Sequence, residues 1–423
     1  VNVTIIKSKI TESAKENVIL FLFIIPLATA FFLLINVYLL SIGFYDDINT
    51  VFDFDQAWFI ETLGYSSYDW KIKTAHESPP LLIKHPFLYL YRLPCEIFQF
   101  FGISPEISVI FVCIIFHVGL IIVAYFIFFE ILQCAFKASL MTLFMLCSST
   151  FLVNGIVLDS YVLAGFWISC CYYLYIKSYN KPGLEVTWLK IFVYTMAIGT
   201  TTYLLLLILL LEVSLLTTKK NSLNNKDIYK YLISGIVRFL LIFGTLFFIC
   251  YYQSIYELLS NPVEVIKRTL WSVVRPGEKQ GLLSIMTTFL AHTFIAPFHH
   301  VVEIGPDNLM ADFRSGRFSF IGYIGLGALM FLYIRAFIHR DSLLFIAAVW
   351  LVITMLFHVE YQDRGSLFLY TGHTMLASSI IIAFGFKGLP LKKVGLLAGL
   401  LIISIAYNNL NAIFYAIQSV YLV

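Results

Sequence analysis

Long apolar runs recur along the chain at Val18 to Phe44, Pro105 to Leu132, Ala138 to Ile156, Ser160 to Ile176, Ile191 to Leu216, Tyr231 to Tyr252, Phe318 to Ile334, Ser342 to Phe357, Ser366 to Phe386 and Val394 to Ala416. A helix needs about 20 apolar residues to cross a bilayer. Backbone in hydrocarbon must satisfy its own hydrogen bonds, so such runs become helices. An all-α polytopic membrane protein is the fold class they dictate. Only 13% of residues are charged and the mean hydropathy is +0.86, whereas soluble domains carry about 25% charged residues. The net charge of +3 offers no basic field for a nucleic acid.

Lysine and arginine assign the sides of the membrane, because basic loops stay cytoplasmic. Lys7, Lys9 and Lys15 precede the first run, which is long and meets no small-residue cleavage site. It reads as a retained span with the N-terminus cytoplasmic. Further basic clusters fall at Lys137, at Lys177 to Lys190, at Arg335 and Arg340, and at Lys387 to Lys393, in step with alternate crossings. Ile191 to Leu216 breaks the pattern, being basic at both ends: Lys190 before it, and Lys219, Lys220, Lys226 and Lys230 after it. Its centre, Gly199-Thr200-Thr201-Thr202, disfavours continuous helix. Two half-helices turning there, with both ends cytoplasmic, restore the alternation. The expectation is about eleven crossings in a single membrane domain, 1–423, without internal repeats.

Two excursions, 45–104 and 253–317, then leave on the extracytoplasmic face. In the first, Phe87 to Phe101 is apolar, short, and interrupted by Arg92 and Pro94, which suits a helix lying in the membrane interface. In the second, Gly281 to Phe298 has Arg275 and Lys279 before it and Arg314 and Arg317 after it. It is expected to be interfacial or re-entrant and not a crossing. The first excursion also gathers Asp46, Asp47, Asp53, Asp55, Glu61 and Asp69 in a chain otherwise poor in carboxylates. Such groups require water or partners. Arg364 stands in the short loop HVEYQDRGS on the same face. Arginine forks hold phosphate oxygens and offset charge on a departing phosphate, while a carboxylate can take the proton of an attacking hydroxyl. Acids and arginines on one wet face suit group transfer from a lipid phosphate.

The order of short motifs resembles the GT-C fold glycosyltransferases, the protein mannosyltransferase and aminoarabinose transferase type. Asp53-Phe54-Asp55-Gln56-Ala57-Trp58-Phe59-Ile60-Glu61 is similar to the D-E-x-x-Y-x-x-x-A stretch that opens that family's first external loop. His85-Pro86-Phe87-Leu88-Tyr89 resembles H-P-P-L-Y, departing at Phe87, and Leu158-Asp159-Ser160-Tyr161 resembles P-D-x-x. The turn at Gly199 to Thr202 falls where the family has a pair of short helices, without the lysine common there. Asp363-Arg364-Gly365-Ser366 lies where E-R-Y is frequent, and only Arg364 matches. The resemblance implies inverting transfer of a sugar from a polyprenyl phosphate to a glycan or lipid acceptor, at the outer face of a bacterial cytoplasmic membrane. It places the base on Asp55, with Asp53 and the pair Asp46 and Asp47 as rivals. Its motifs bring His85, Asp159 and Arg364 to the donor site, and Arg364 with Arg275, Arg314 or Arg317 of the second excursion is expected to hold the phosphate. No cofactor is assigned. A two-carboxylate metal site finds no support, because Gln56 stands where a second acid is frequent.

Other polar residues have plainer readings. Cys95, Cys113, Cys134, Cys147, Cys170, Cys171 and Cys250 show no C-x-x-C spacing and read as membrane-helix residues. His292, His299 and His300 are poorly spaced for a metal across Pro297. His117 reads as packed, Glu130 and Glu212 as exposed at the interface, and Arg238 as snorkelling. Two rival functions stay open. One is an O-antigen polymerase or ligase, which would rest on the second excursion. The other is a lipid or sugar transporter, which would use the break at Gly199 as its binding site.

Overall fold

The computed structural model describes residues 3–46, 52, 54, 56–65, 85–219, 224–251, 260, 263, 281–305, 308–313, 317–360 and 366–421. In chain order, α1 (Val3–Ser41) is followed by the short α2 (Gln56–Gly64). A 3₁₀ turn, Leu88–Tyr91, runs into α3 (Arg92–Phe100), then come α4 (Pro105–Leu132), α5 (Ala135–Leu146), α6 (Ser149–Ile156) and α7 (Ser160–Tyr179). Next are α8 (Trp188–Thr200), α9 (Leu204–Lys219) and α10 (Asn225–Tyr251). After them α11 (Leu282–Thr287) continues into a π-helical turn, Thr288–His292. An antiparallel hairpin of β1 (His300–Gly305) and β2 (Asn308–Asp312) leads to α12 (Phe320–Ala336) and α13 (Ser342–Glu360). A second 3₁₀ turn, Phe368–His373, precedes α14 (Met375–Phe386) and α15 (Leu391–Tyr421).

Helix α4 is the axis of the body, packed by α1, α2, α3, α5, α7 and α14. Its ends are written locally. Ser104 accepts the amide of Ile107, Pro105 opens the helix, and Glu106 lies in its first turn, where a carboxylate meets the positive end of the helix dipole. Gln133 closes it in the left-handed region at φ +52°, its amide returning to Phe129.

Among the described residues five helices are long and apolar enough to cross a membrane, Leu22–Ser41 of α1, α4, α10, Ser342–Val359 of α13, and Leu391–Val420 of α15, or six if the bent pair α5 and α6 is one span. That is fewer full-length spans than the crossings expected, because several expected runs are divided. Ala138 to Ile156 is not one helix; α5 and α6 meet at a 62° bend. The bend is stabilised by its surroundings: Asn409 Nδ2 donates to the Cys147 carbonyl, and the amides of Ser149 and Thr150 donate to Phe294 and Thr293. Backbone groups freed by a break must find such partners. Ser366 to Phe386 is likewise divided into a 3₁₀ turn and α14, and α14 alone spans only about 18 Å. All twelve residues of α14 are buried.

The run from Ile191 to Leu216 turns as its composition predicts. α8 ends at Thr200 and α9 begins at Leu204. Both bases of this hairpin lie on one side: Lys190 Nζ of α8 is 2.6 Å from Glu212 of α9, and Lys219 donates to the carbonyls of Ser178, Lys181 and Gly183 in the segment that enters α8. Glu212 is therefore not an interfacial acid awaiting solvent. It also accepts from Tyr194 at 2.6 Å and from Tyr231 at 2.5 Å, closing a network around the buried Lys190.

In the first excursion, α3 buries Arg92 and Cys95 and exposes Leu93, Ile97 and Phe100, with Phe101 beyond its end, the one-sided pattern of an interfacial helix. In the second, Gly281 to Phe298 is a broken helix of α11 and the π turn, docked on α13 and on the bend between α5 and α6. The β hairpin departs from the all-helical expectation; β-branched Val301, Val302 and Ile304 favour strand, and Gly305 and Asn308 flank its turn.

Candidate functional site

Residues from separate segments of the chain converge on one cluster of rings. Phe52, from the acid-rich stretch, lies 4.5 Å from Phe313 and 5.2 Å from Phe368, and those two rings are 5.0 Å apart. The amide of Phe52 donates to the Ala311 carbonyl at 2.8 Å, joining the first excursion to the β hairpin of the second. At the end of β2 the buried carboxylate of Asp312 accepts from Ser366 Oγ at 2.6 Å and from the Phe313 amide at 2.7 Å. Ser366 follows the loop that contains Arg364. The acid run, the arginine-bearing second excursion and the Arg364 loop are thus tied together through their described neighbours.

A second layer of rings adjoins the first. Phe54 lies 6.0 Å edge-on to Tyr161, which packs against His373 at 4.9 Å and Tyr370 at 6.1 Å. Tyr203, from the tip between α8 and α9, packs on Trp350 at 5.0 Å and Phe357 at 4.9 Å and donates to Thr354 at 2.8 Å. Trp350 donates to the His373 carbonyl at 2.9 Å, and His358 lies 4.2 Å from Tyr370. The close fit requires Gly372, since a β carbon there would lie 2.9 Å from Asn154 Nδ2 and 3.2 Å from Tyr161 Cβ. His373, which precedes α14, is buried.

Two motifs that are far apart in sequence clamp each other beside this layer. His85 Nδ1 lies 2.6 Å from the Thr200 carbonyl, to which it donates, and 3.3 Å from Thr201 Oγ1. The Phe87 amide donates to the Gly199 carbonyl at 2.7 Å, and a β carbon at 199 would come within 1.8 Å of the Phe87 ring. Tyr91 Oη is 2.6 Å from Thr200 Oγ1 and accepts from Trp167, while Tyr251 at the end of α10 donates to the Pro86 carbonyl at 2.8 Å. His85 thus serves to hold the interfacial segment on the hairpin tip. The glycine is needed so that the tip can approach a phenylalanine ring.

The remaining candidates are placed as follows. Asp46 is exposed just beyond α1, its amide bonded to the Gly43 carbonyl. Asp159 caps α7, one oxygen accepting from the Ser160 amide and hydroxyl. Arg317 is exposed, and its carbonyl accepts from the Phe298 amide at 2.9 Å. Asp47, Asp53, Asp55, Arg275, Arg314 and Arg364 lie outside the described residues. Gln56, next to Asp55 in sequence, is buried and donates to the Phe44 carbonyl at 2.7 Å, so the start of α2 is anchored to the end of α1. Among the described residues no group of three or more His, Cys, Asp or Glu side chains is placed to hold a metal ion. Sequence reading missed Tyr203, His358, Tyr370, His373 and Asp312. Only their proximity in space marks them, although Asp312 stands two residues before Arg314.

The fold and this cluster define a class: a polytopic helical membrane protein with segments from distant parts of the chain gathered at one end. No protein-family model matches the chain, and no curated protein matches it. Among solved structures it is similar to ArnT from Cupriavidus metallidurans in the apo state, at 16% identity and a TM-score of 0.53, covering 88% of this chain and 62% of that one. It is also similar to ArnT from the same organism bound to undecaprenyl phosphate, at 15% identity and a TM-score of 0.50, covering 75% and 52%. The chain therefore spans less than two thirds of ArnT's length. At this identity the likeness is one of fold, and the fold is GT-C, as the order of motifs implied.

Proposed function

We propose that this protein transfers a sugar from a polyprenyl phosphate to a hydroxyl of a glycan or lipid acceptor, at the extracytoplasmic face of a bacterial cytoplasmic membrane. The observation that carries the reading is the ring cluster of Phe52, Phe313 and Phe368, which joins the three segments containing the acids, Arg314 with Arg317, and Arg364. The fold shared with ArnT, one structure of which holds undecaprenyl phosphate, supports the carrier.

In this reading Asp55 takes the acceptor's hydroxyl proton as the oxygen attacks the anomeric carbon. The bond from that carbon to the phosphate oxygen breaks, its electron pair leaves with the polyprenyl phosphate, and the anomeric centre inverts. Arg364, with Arg275, Arg314 or Arg317, offsets the charge gathering on the phosphate. Asp53 and the pair Asp46 and Asp47 are the rivals for the base. The rings of His373, Tyr161, Tyr203 and Tyr370 supply an aromatic wall beside the attacking group.

Asp55→Asn, assayed in nanodiscs with a polyprenyl-phosphate sugar and its released carrier as readout, is expected to lose turnover by roughly 10²- to 10⁴-fold while still binding donor. Full turnover in Asp55→Asn together with loss in Asp53→Asn would move the base to Asp53. Full turnover in every aspartate variant would remove the transferase mechanism.

A further inference from the structure

At the other end of α10 a crevice of about 500 Å³ opens between that helix and the start of α8, lined by Trp188, Lys230, Ile233, Ser234, Val237 and Arg238, with Leu241 at its inner edge. Tyr251 at the far end of α10 reaches Pro86 in the candidate site. Lys230 lies roughly 32 Å back along the helix at 1.5 Å per residue, which matches a hydrocarbon core of about 30 Å. The crevice is therefore at the headgroup level of the opposite leaflet.

Its polar and apolar linings alternate by helical geometry. Lys230, Ser234 and Arg238 are spaced i, i+4, i+8 along one stripe, with Ile233, Val237 and Leu241 on the stripe beside it. Arg238 starts about 12 Å deeper than Lys230, and its side chain turns back. The guanidinium lies 4.9 Å over the Trp188 ring, and Nη1 donates to the Val186 carbonyl. One guanidinium nitrogen is thereby committed, while Nη2 and Nε retain donors. Among the described residues no carboxylate forms an ion pair with Lys230 or Arg238, in contrast to Lys190 one helix away. A guanidinium drawn back toward the interface with donors to spare is suited to an anionic oxygen. Two cations at headgroup level, above an apolar stripe and beside a tryptophan, suit a phosphodiester with its acyl chains descending along α10.

We infer that this crevice binds the phosphate of an anionic phospholipid from the leaflet opposite the candidate site. The lipid would rest on the base of α8, whose tip holds His85, and on α10, whose end holds Pro86. It braces the two supports of the interfacial segment from below.

The test is native mass spectrometry of the full chain released from nanodiscs containing equal amounts of phosphatidylglycerol and phosphatidylcholine. Retention of phosphatidylglycerol over phosphatidylcholine is expected, falling about five-fold for each cation removed in Lys230→Gln and Arg238→Gln, with Lys230→Arg restoring it. Lys230→Gln leaves the Val186 contact in place, so it isolates binding from folding, and an unchanged melting temperature confirms this. Equal retention of the two lipids, or undiminished phosphatidylglycerol on the folded Lys230→Gln protein, would overturn the assignment. Displacement of the lipid by millimolar inorganic phosphate would also overturn it, by making the crevice a site for soluble anions.

Discussion

The two ends of the membrane body are joined by different chemistry. At the end bearing the bases of α8 and α9, cations tie the helices: Lys190 to Glu212 at 2.6 Å, Lys177 to Glu130, Lys137 to the Leu389 carbonyl at 2.7 Å, Arg335 to the Lys387 carbonyl at 3.1 Å, and Lys219 to three carbonyls. At the end bearing the candidate site, mostly uncharged groups do this work, with the Asp312 carboxylate on Ser366 beside them. Tyr45 donates to the Ile156 carbonyl at 2.7 Å, Asn36 to that of Gly155 at 2.8 Å, and Asn409 to that of Phe294 at 2.6 Å; rings close most of the rest. The cations at the first end act as structural ties between helices. At the other end the ties named above are made by amide and hydroxyl groups.

The largest test of this contrast is Lys190→Met, which strands Glu212 and should cost about 3–5 kcal/mol, while Lys190→Met with Glu212→Leu should recover most of it. Unfolding of the detergent-solubilised protein measures both. Lys177→Ala, which removes an exposed ion pair, is the control and should cost under about 1 kcal/mol. Equal costs for Lys190→Met and Lys177→Ala would break the contrast, because the cationic end would then hold no buried tie.

At the end bearing the candidate site, Gly199→Val should drive the Phe87 ring away and cost about 1–3 kcal/mol, the usual range for overpacking. Loss of the Phe87 anchor should also make the buried Cys95 in α3 reactive toward a thiol reagent. A protected Cys95 would mean that the hairpin tip does not hold the interfacial segment.

Much of this architecture was legible in the residues. Apolar runs dictated helices because hydrocarbon allows no unsatisfied backbone. Basic residues at both ends of Ile191 to Leu216, with Gly199 at its centre, predicted a hairpin that α8 and α9 form. The short helix after Pro86 was readable from its length and from Arg92 and Pro94, and the GT-C likeness from the order of short motifs.

Other features depended on contacts between distant segments. The bend at Cys147 and Ser148 follows from partners on Asn409 and Phe294, far along the chain. Glu212 looked like an interfacial acid until Lys190, Tyr194 and Tyr231 surrounded it. His85 and Gly199 each stood out by residue type, yet only packing shows that they belong to one clamp. The sequence by itself determined which segments form long apolar helices, because transfer from water to hydrocarbon acts on each segment separately. The tertiary structure alone decided which loops meet and which polar groups are spent on holding the fold, because hydrogen bonds and ring contacts between segments have no periodicity that a single segment can display.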